Sequence, residues 1–229
     1  MQTETDLIMM LNGRAAVYEY FTLCFHNPSA DNFLGITKKF AVHFKRIAAD
    51  SNISAFMKSA DELILYAEKI TDELDALDEI NRAYTSLFLI GDQGIAIEES
   101  VYLSPSGLVK QEPWEDLLRV YSRHGFGIPE SMGISEEHLS AELLFMAFMA
   151  KKISERIENS DDKGVSYLAG EQLDFLKKHI MRWVPALYKD ITSSSYTHVD
   201  IFKTLASILY SFLLYDINLL SDFIQEYAE

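Results

Sequence analysis

Residues 135–157 read SEEHLSAELLFMAFMAKKISERI. Leu139, Leu143, Met146, Ala150, Ile153 and Ile157 recur at steps of three and four, which puts them on one face of a helix. Leu144, Phe145 and Phe148 widen that face, so this helix is expected to be central to its core. Ser135 is the expected cap, with Glu136 and Glu137 in a first turn where the helix dipole favours negative charge.

Outward from this stretch the same period holds. Upstream, Gly125, Gly127, Pro129 and Gly133 crowd one break, and Pro113 is expected to start a helix with the face Trp114, Leu117, Leu118 and Tyr121. Before that lies a loop of more than 20 residues, Asp92 to Pro113, a length usual for functional or mobile segments. Thr71 is the expected cap of a helix whose face is Leu74, Leu77, Tyr84, Leu87 and Phe88, ending at Gly91. Three earlier helices are expected. The first runs from Asp6 to Phe25 through Leu7, Leu11, Ala15 and Tyr18 and ends at the turn 26–29. Phe33, Ile36, Phe40, Phe44 and Ile47 mark the second, and Ile53 to Ile70 the third. Downstream, a break at 159–164 precedes a helix through Leu168, Leu173, Leu176 and Ile180, then Trp183 and Pro185. A serine turn at 193–195 leads to a last helix from about Val199 to Tyr227. No run alternates strictly, so the fold class is all-α. Residues 1–229 are expected to form a single domain of two helical lobes, 1–123 and 135–229, joined by a glycine-rich hinge at 124–134.

Composition narrows the function. The net charge of -15 argues against nucleic acid and anionic membrane surfaces. Asp72 to Glu142 holds 15 acids and four bases, and so carries most of that charge. It is either a solvated surface or a field that draws a cationic partner. The most apolar run, Leu205 to Tyr215, is shorter than the roughly 20 residues of a membrane span. Met1 to Asp6 lacks the basic start of an export signal, so a cytoplasmic location is expected. Cys24 is the one cysteine, which excludes an internal disulfide.

No common catalytic motif is present. None of His26, His43, His124, His138, His179 and His198 follows an acid by three residues, as a helical di-metal site requires. Phosphate loops, dinucleotide fingerprints and the zinc-protease pattern are missing as well. The chain is therefore not expected to be an enzyme or to hold a metal or cofactor. One cluster stands out, because His138 and Glu142 lie four apart beside Glu137. It suits a structural hydrogen-bond network, a weak metal site or a receptor for a guanidinium or amide. His179 and Trp183, also four apart, read as a core pair.

Three signatures in order carry a family likeness: Tyr84, Leu87, Phe88 and Gly91; then Ser100 to Leu103; then Glu137, His138, Glu142 and Leu143. With His179 and Trp183, this set resembles the TorD/DmsD/NarJ family of chaperones that mature molybdenum-containing redox enzymes. Two positions depart from the pattern. Arg82 and Ala83 stand where many relatives carry an acid, and Glu137 replaces the usual Asp. The resemblance implies an all-helical cytoplasmic protein, a monomer or domain-swapped dimer. Its implied partner is an apo-molybdopterin oxidoreductase of the dimethyl sulfoxide or trimethylamine N-oxide reductase kind. Such a chaperone binds the twin-arginine leader and holds its client back from export until the cofactor is inserted, as anaerobic respiration requires. On that likeness, Tyr84, Leu87, Phe88 and Tyr102 are expected to line an apolar groove. Glu99, Ser100, Glu137, His138 and Glu142 would sit at its polar end. The competing expectation is a general helical adaptor for amphipathic basic helices.

Overall fold

The computed structural model describes residues 3–26, 28, 32–90, 94–196 and 199–226. Asn27, Ser29, Gly91, Asp92, His198 and Tyr227, on which parts of the sequence reading rest, lie outside them. The described residues form ten α-helices and no strand: α1 (Glu4–His26), α2 (Phe33–Ser51), α3 (Ser54–Lys69), α4 (Glu73–Tyr84), α5 (Glu99–Leu103), α6 (Glu112–His124), α7 (Leu139–Glu158), α8 (Asp162–Phe175), α9 (Met181–Ser193) and α10 (Asp200–Glu226). Two π-helical turns, Thr85–Leu89 and Leu176–Ile180, continue α4 and α8.

The all-α expectation holds, and several boundaries move for identifiable reasons. Asp72, not Thr71, caps α4, its carboxylate accepting from the amides of Leu74 and Asp75. Leu74 is 77% exposed, and the buried face runs instead through Ala76, Ile80 and Ala83 to Leu87. Helix α7 starts at Leu139 rather than after Ser135, because the His138 imidazole accepts the amide of Ser140 and caps it. The expected long loop holds one helical turn, α5. In α2 the buried stripe includes Leu34, Thr37, Ala41 and Ala48 beside Phe33 and Phe44, one step round from the expected one.

The chain divides into two compact units, and the expected boundary at 124–134 is not the one found. Unit 1 holds the chain up to Thr22, Glu98–Trp183 and the chain from Asp216; unit 2 holds Leu23–Ile97 and Val184–Tyr215. The glycine-rich break falls inside unit 1. There Gly125 and Gly133, at φ 67° and 60°, serve as ordinary helix terminators.

In unit 2, α2 and α3 meet through Phe44 and Phe56, with ring centroids 6.3 Å apart. A second cluster gathers Phe25, Tyr84, Phe88 and Phe202 at centroid distances of 5.1–6.4 Å. In unit 1, the broad face of α7 is buried from Leu139 to Ile157 as its pattern predicts. The α10 stretch Asp200–Gln225 is long and apolar enough to cross a membrane by length and composition, a longer run than the sequence reading allowed. Half of its most apolar window is buried in the protein.

The core of unit 1 also contains charge that periodicity does not reveal. Arg14 of α1 donates to both carboxylate oxygens of Asp216 in α10, at 2.6 and 2.8 Å, with side chains 4% and 0% exposed. The Tyr18 hydroxyl adds a 2.6 Å bond to the same carboxylate. Arg14 also donates to Gln172 of α8, whose amide reaches the Met146 carbonyl in α7. One polar chain thus links four helices. Truncating Arg14 strands a buried carboxylate, so Arg14→Ala is expected to cost about 3–5 kcal/mol in chemical denaturation. Arg14→Met with Asp216→Leu should recover most of that loss.

Candidate functional site

Most of the expected site residues meet around the start of α7, in unit 1. Glu137 is fully buried; its carboxylate accepts the Ser100 amide at 3.1 Å and the Lys110 amide at 2.6 Å. Its carbonyl accepts the Glu99 amide at 3.0 Å, beside an isolated antiparallel bridge between Glu98 and His138. The Ser100 hydroxyl accepts from the Gln111 amide at 3.2 Å. These bonds fold residues 99–111 onto the residues ahead of α7. Lys110 sits there at φ 56°, a left-handed conformation that costs a non-glycine residue roughly 1–2 kcal/mol. The short bond to Glu137 offsets that cost.

Two further bonds join the loop and α7 to the second π turn and the residues just after it. His179 faces both Glu99 oxygens through Nδ1 at 3.2 Å, and its ring stacks on Phe175. The Trp183 indole donates to Glu142 at 3.2 Å, and Tyr102 lies against that indole with centroids 5.4 Å apart. The pair read from sequence as core thus completes the acid cluster. Its four-residue spacing was the available signal, since it places both rings on one side of the chain facing the two acids. Glu136, absent from the expected set, accepts from the Trp114 indole at 2.8 Å.

Burial dominates the electrostatics. Glu142 is enclosed, and desolvation, then the nearby Glu99, push its carboxyl well above the usual carboxylate range. Its second oxygen has no protein partner. Burial also raises Glu99, which the bond to His179 pulls partly back. The Tyr121 hydroxyl rises for the same reasons, burial first and then Glu142. Among the described residues, no three His, Cys, Asp or Glu side chains are placed to hold a metal ion.

Tyr84, Leu87 and Phe88 belong to unit 2. Leu87 is fully buried and its carbonyl accepts the Ile95 amide at 2.7 Å. Tyr84 and Phe88 are half-buried, and the Tyr84 hydroxyl donates to the Phe25 carbonyl at 3.1 Å. The π turn leaves Leu89 and Ile90 63% and 50% exposed, apolar surface that the helical reading missed. In unit 1, Leu108 and Val109 are exposed in the same way on the Glu137-anchored loop. Such turns recur at functional positions because the extra residue re-aims the side chains around it.

The sequence is similar to known proteins. The family model for the nitrate reductase delta subunit matches residues 50–189. A "Chaperone protein TorD" of Vibrio cholerae is 25% identical over 96% of this chain and 98% of its own length. Another of that name, from Vibrio parahaemolyticus, is 25% identical over 75% of this chain and 79% of its own. No solved structure matches the chain.

The raised Glu142 carboxyl has a consequence for stability. The folded chain holds this proton more firmly than the unfolded chain does. Its contribution is therefore most favourable below the ordinary carboxylate range and declines as pH climbs toward the raised value. Glu142→Gln removes the cost of charging this site. It is expected to raise the melting temperature by a few degrees at about pH 8, and to change it little at about pH 4. Melting curves of both proteins across that range measure the difference.

Proposed function

The chain belongs to the nitrate reductase delta subunit family and is a TorD-like chaperone of redox-enzyme maturation; on that premise we propose that it binds the twin-arginine leader of an apo-molybdopterin oxidoreductase. Bound in the cytoplasm, the client would be kept from export until its cofactor is in place. The observation that carries this reading is the likeness to TorD chaperones along nearly the whole chain. The buried network supports it, since every motif that carries the resemblance in unit 1 meets at Glu99, Glu137 and Glu142.

The site residues divide by what they can touch. Glu137, Glu142, Ser100 and Leu87 are buried, and in this reading they hold the framework. His138, committed to capping α7, belongs with them. Contacts with the apolar part of a leader would fall on partly exposed side chains. In unit 2 these are Tyr84, Phe88, Leu89 and Ile90, and in unit 1 Tyr102, Leu108 and Val109. The acidic balance of the chain suits the basic end of such a leader, whose guanidinium groups pair with carboxylates through two bonds at once.

A titration of the purified protein with a synthetic twin-arginine leader tests the reading. Replacing both arginines by lysine is expected to weaken binding at least tenfold, because an ammonium cannot reproduce the planar fork of a guanidinium. Equal binding of the two peptides, and of an unrelated amphipathic basic helix, would make the protein a general helical adaptor instead.

A further inference from the structure

Ahead of α6, the exposed pair Leu108 and Val109 stands between two left-handed residues, Gly107 at φ 63° and Lys110 at φ 56°. The backbone on both sides of the pair is tied down. The Gly107 amide donates to the Ser104 carbonyl at 3.0 Å, and the Leu108 amide to the Ser106 hydroxyl at 3.3 Å. The Val109 carbonyl accepts the Gln111 side-chain amide at 2.9 Å, and the Lys110 amide reaches Glu137 at 2.6 Å.

Glycine would take the backbone angles of Lys110 without the steric cost that a side chain brings. The lysine supplies something that glycine lacks. Its ammonium lies over the Trp114 ring, 5.6 Å from the centroid, while the edge of the same indole donates to Glu136 at 2.8 Å. Lys110, Trp114 and Glu136 thus form a clamp from the loop through α6 to the residues just ahead of α7. It acts beside the Glu137 bond, which holds only the backbone of Lys110.

We infer that Lys110 is a positioning residue for leader recognition, its ammonium on Trp114 fixing the backbone that carries Leu108 and Val109 to the apolar stretch of the leader. This role rests on the leader reading above. Two apolar side chains on a backbone ordered before binding avoid the ordering cost of a loose loop.

Lys110→Met keeps the stem and removes the charge, whereas Lys110→Arg keeps a cation for the ring. Titration with a synthetic twin-arginine leader, and hydrogen exchange of residues 106–112 in the free proteins, compare them with the parent chain. Lys110→Met is expected to lower leader affinity about threefold and to speed exchange, the modest size being that of an exposed cation–π contact. Lys110→Arg should match the parent in both. Lys110 is exposed, so both variants should melt close to the parent. The sign separates positioning from plain charge, because removing a cation by itself favours a basic peptide. Affinity that is equal or higher in Lys110→Met, or exchange that does not change, would overturn the role of Lys110 while leaving the leader reading intact. A parent chain that binds no leader would overturn both.

Discussion

The buried carboxylate of Glu137 holds the candidate site of unit 1 together. A charge removed from water is tolerated only when its oxygens are filled, and here backbone amides of Ser100 and Lys110 fill them. Its side chain thereby holds a loop with little secondary structure of its own against the start of α7. The loop brings Glu99 to His179 and Tyr102 to Trp183, while α7 brings Glu142 to Trp183. Segments far apart in sequence become one cluster through a few hydrogen bonds.

That arrangement gives the acids a role that their spacing alone does not show. Glu137, His138 and Glu142 lie close in sequence, and their spacing also suits a weak metal site or a receptor for a guanidinium. In the fold, Glu137 is spent on backbone amides, His138 caps a helix, and Glu142 is enclosed with a carboxyl that resists ionisation. The apolar side chains of Leu108 and Val109, on the loop anchored by Glu137, are exposed.

Much of the fold was legible because helical periodicity reports burial directly. The face of α7 from Leu139 to Ile157 is buried as its spacing implies, and Pro113 and the glycines near 125–133 mark real helix ends. Caps were harder to read, since Asp72 and His138 compete locally with Thr71 and Ser135 and only geometry chooses between them. The division into units was not legible, because it follows which helices pack together rather than where glycines gather. The pairing of Arg14 with Asp216 joins residues from opposite ends of the chain, and no local pattern announces it. The two π turns were hidden for a similar reason. One extra residue in a turn leaves the apolar period nearly intact while exposing Leu89 and Ile90.

As a TorD-like chaperone, the protein is expected to act on a molybdenum-containing client. Purifying the tagged chain from its native cells grown without oxygen, and identifying bound proteins by mass spectrometry, tests it most directly. The expected result is recovery of a molybdopterin oxidoreductase still carrying its twin-arginine leader. Recovery of other partners alone, from cells that express such an enzyme, would contradict it.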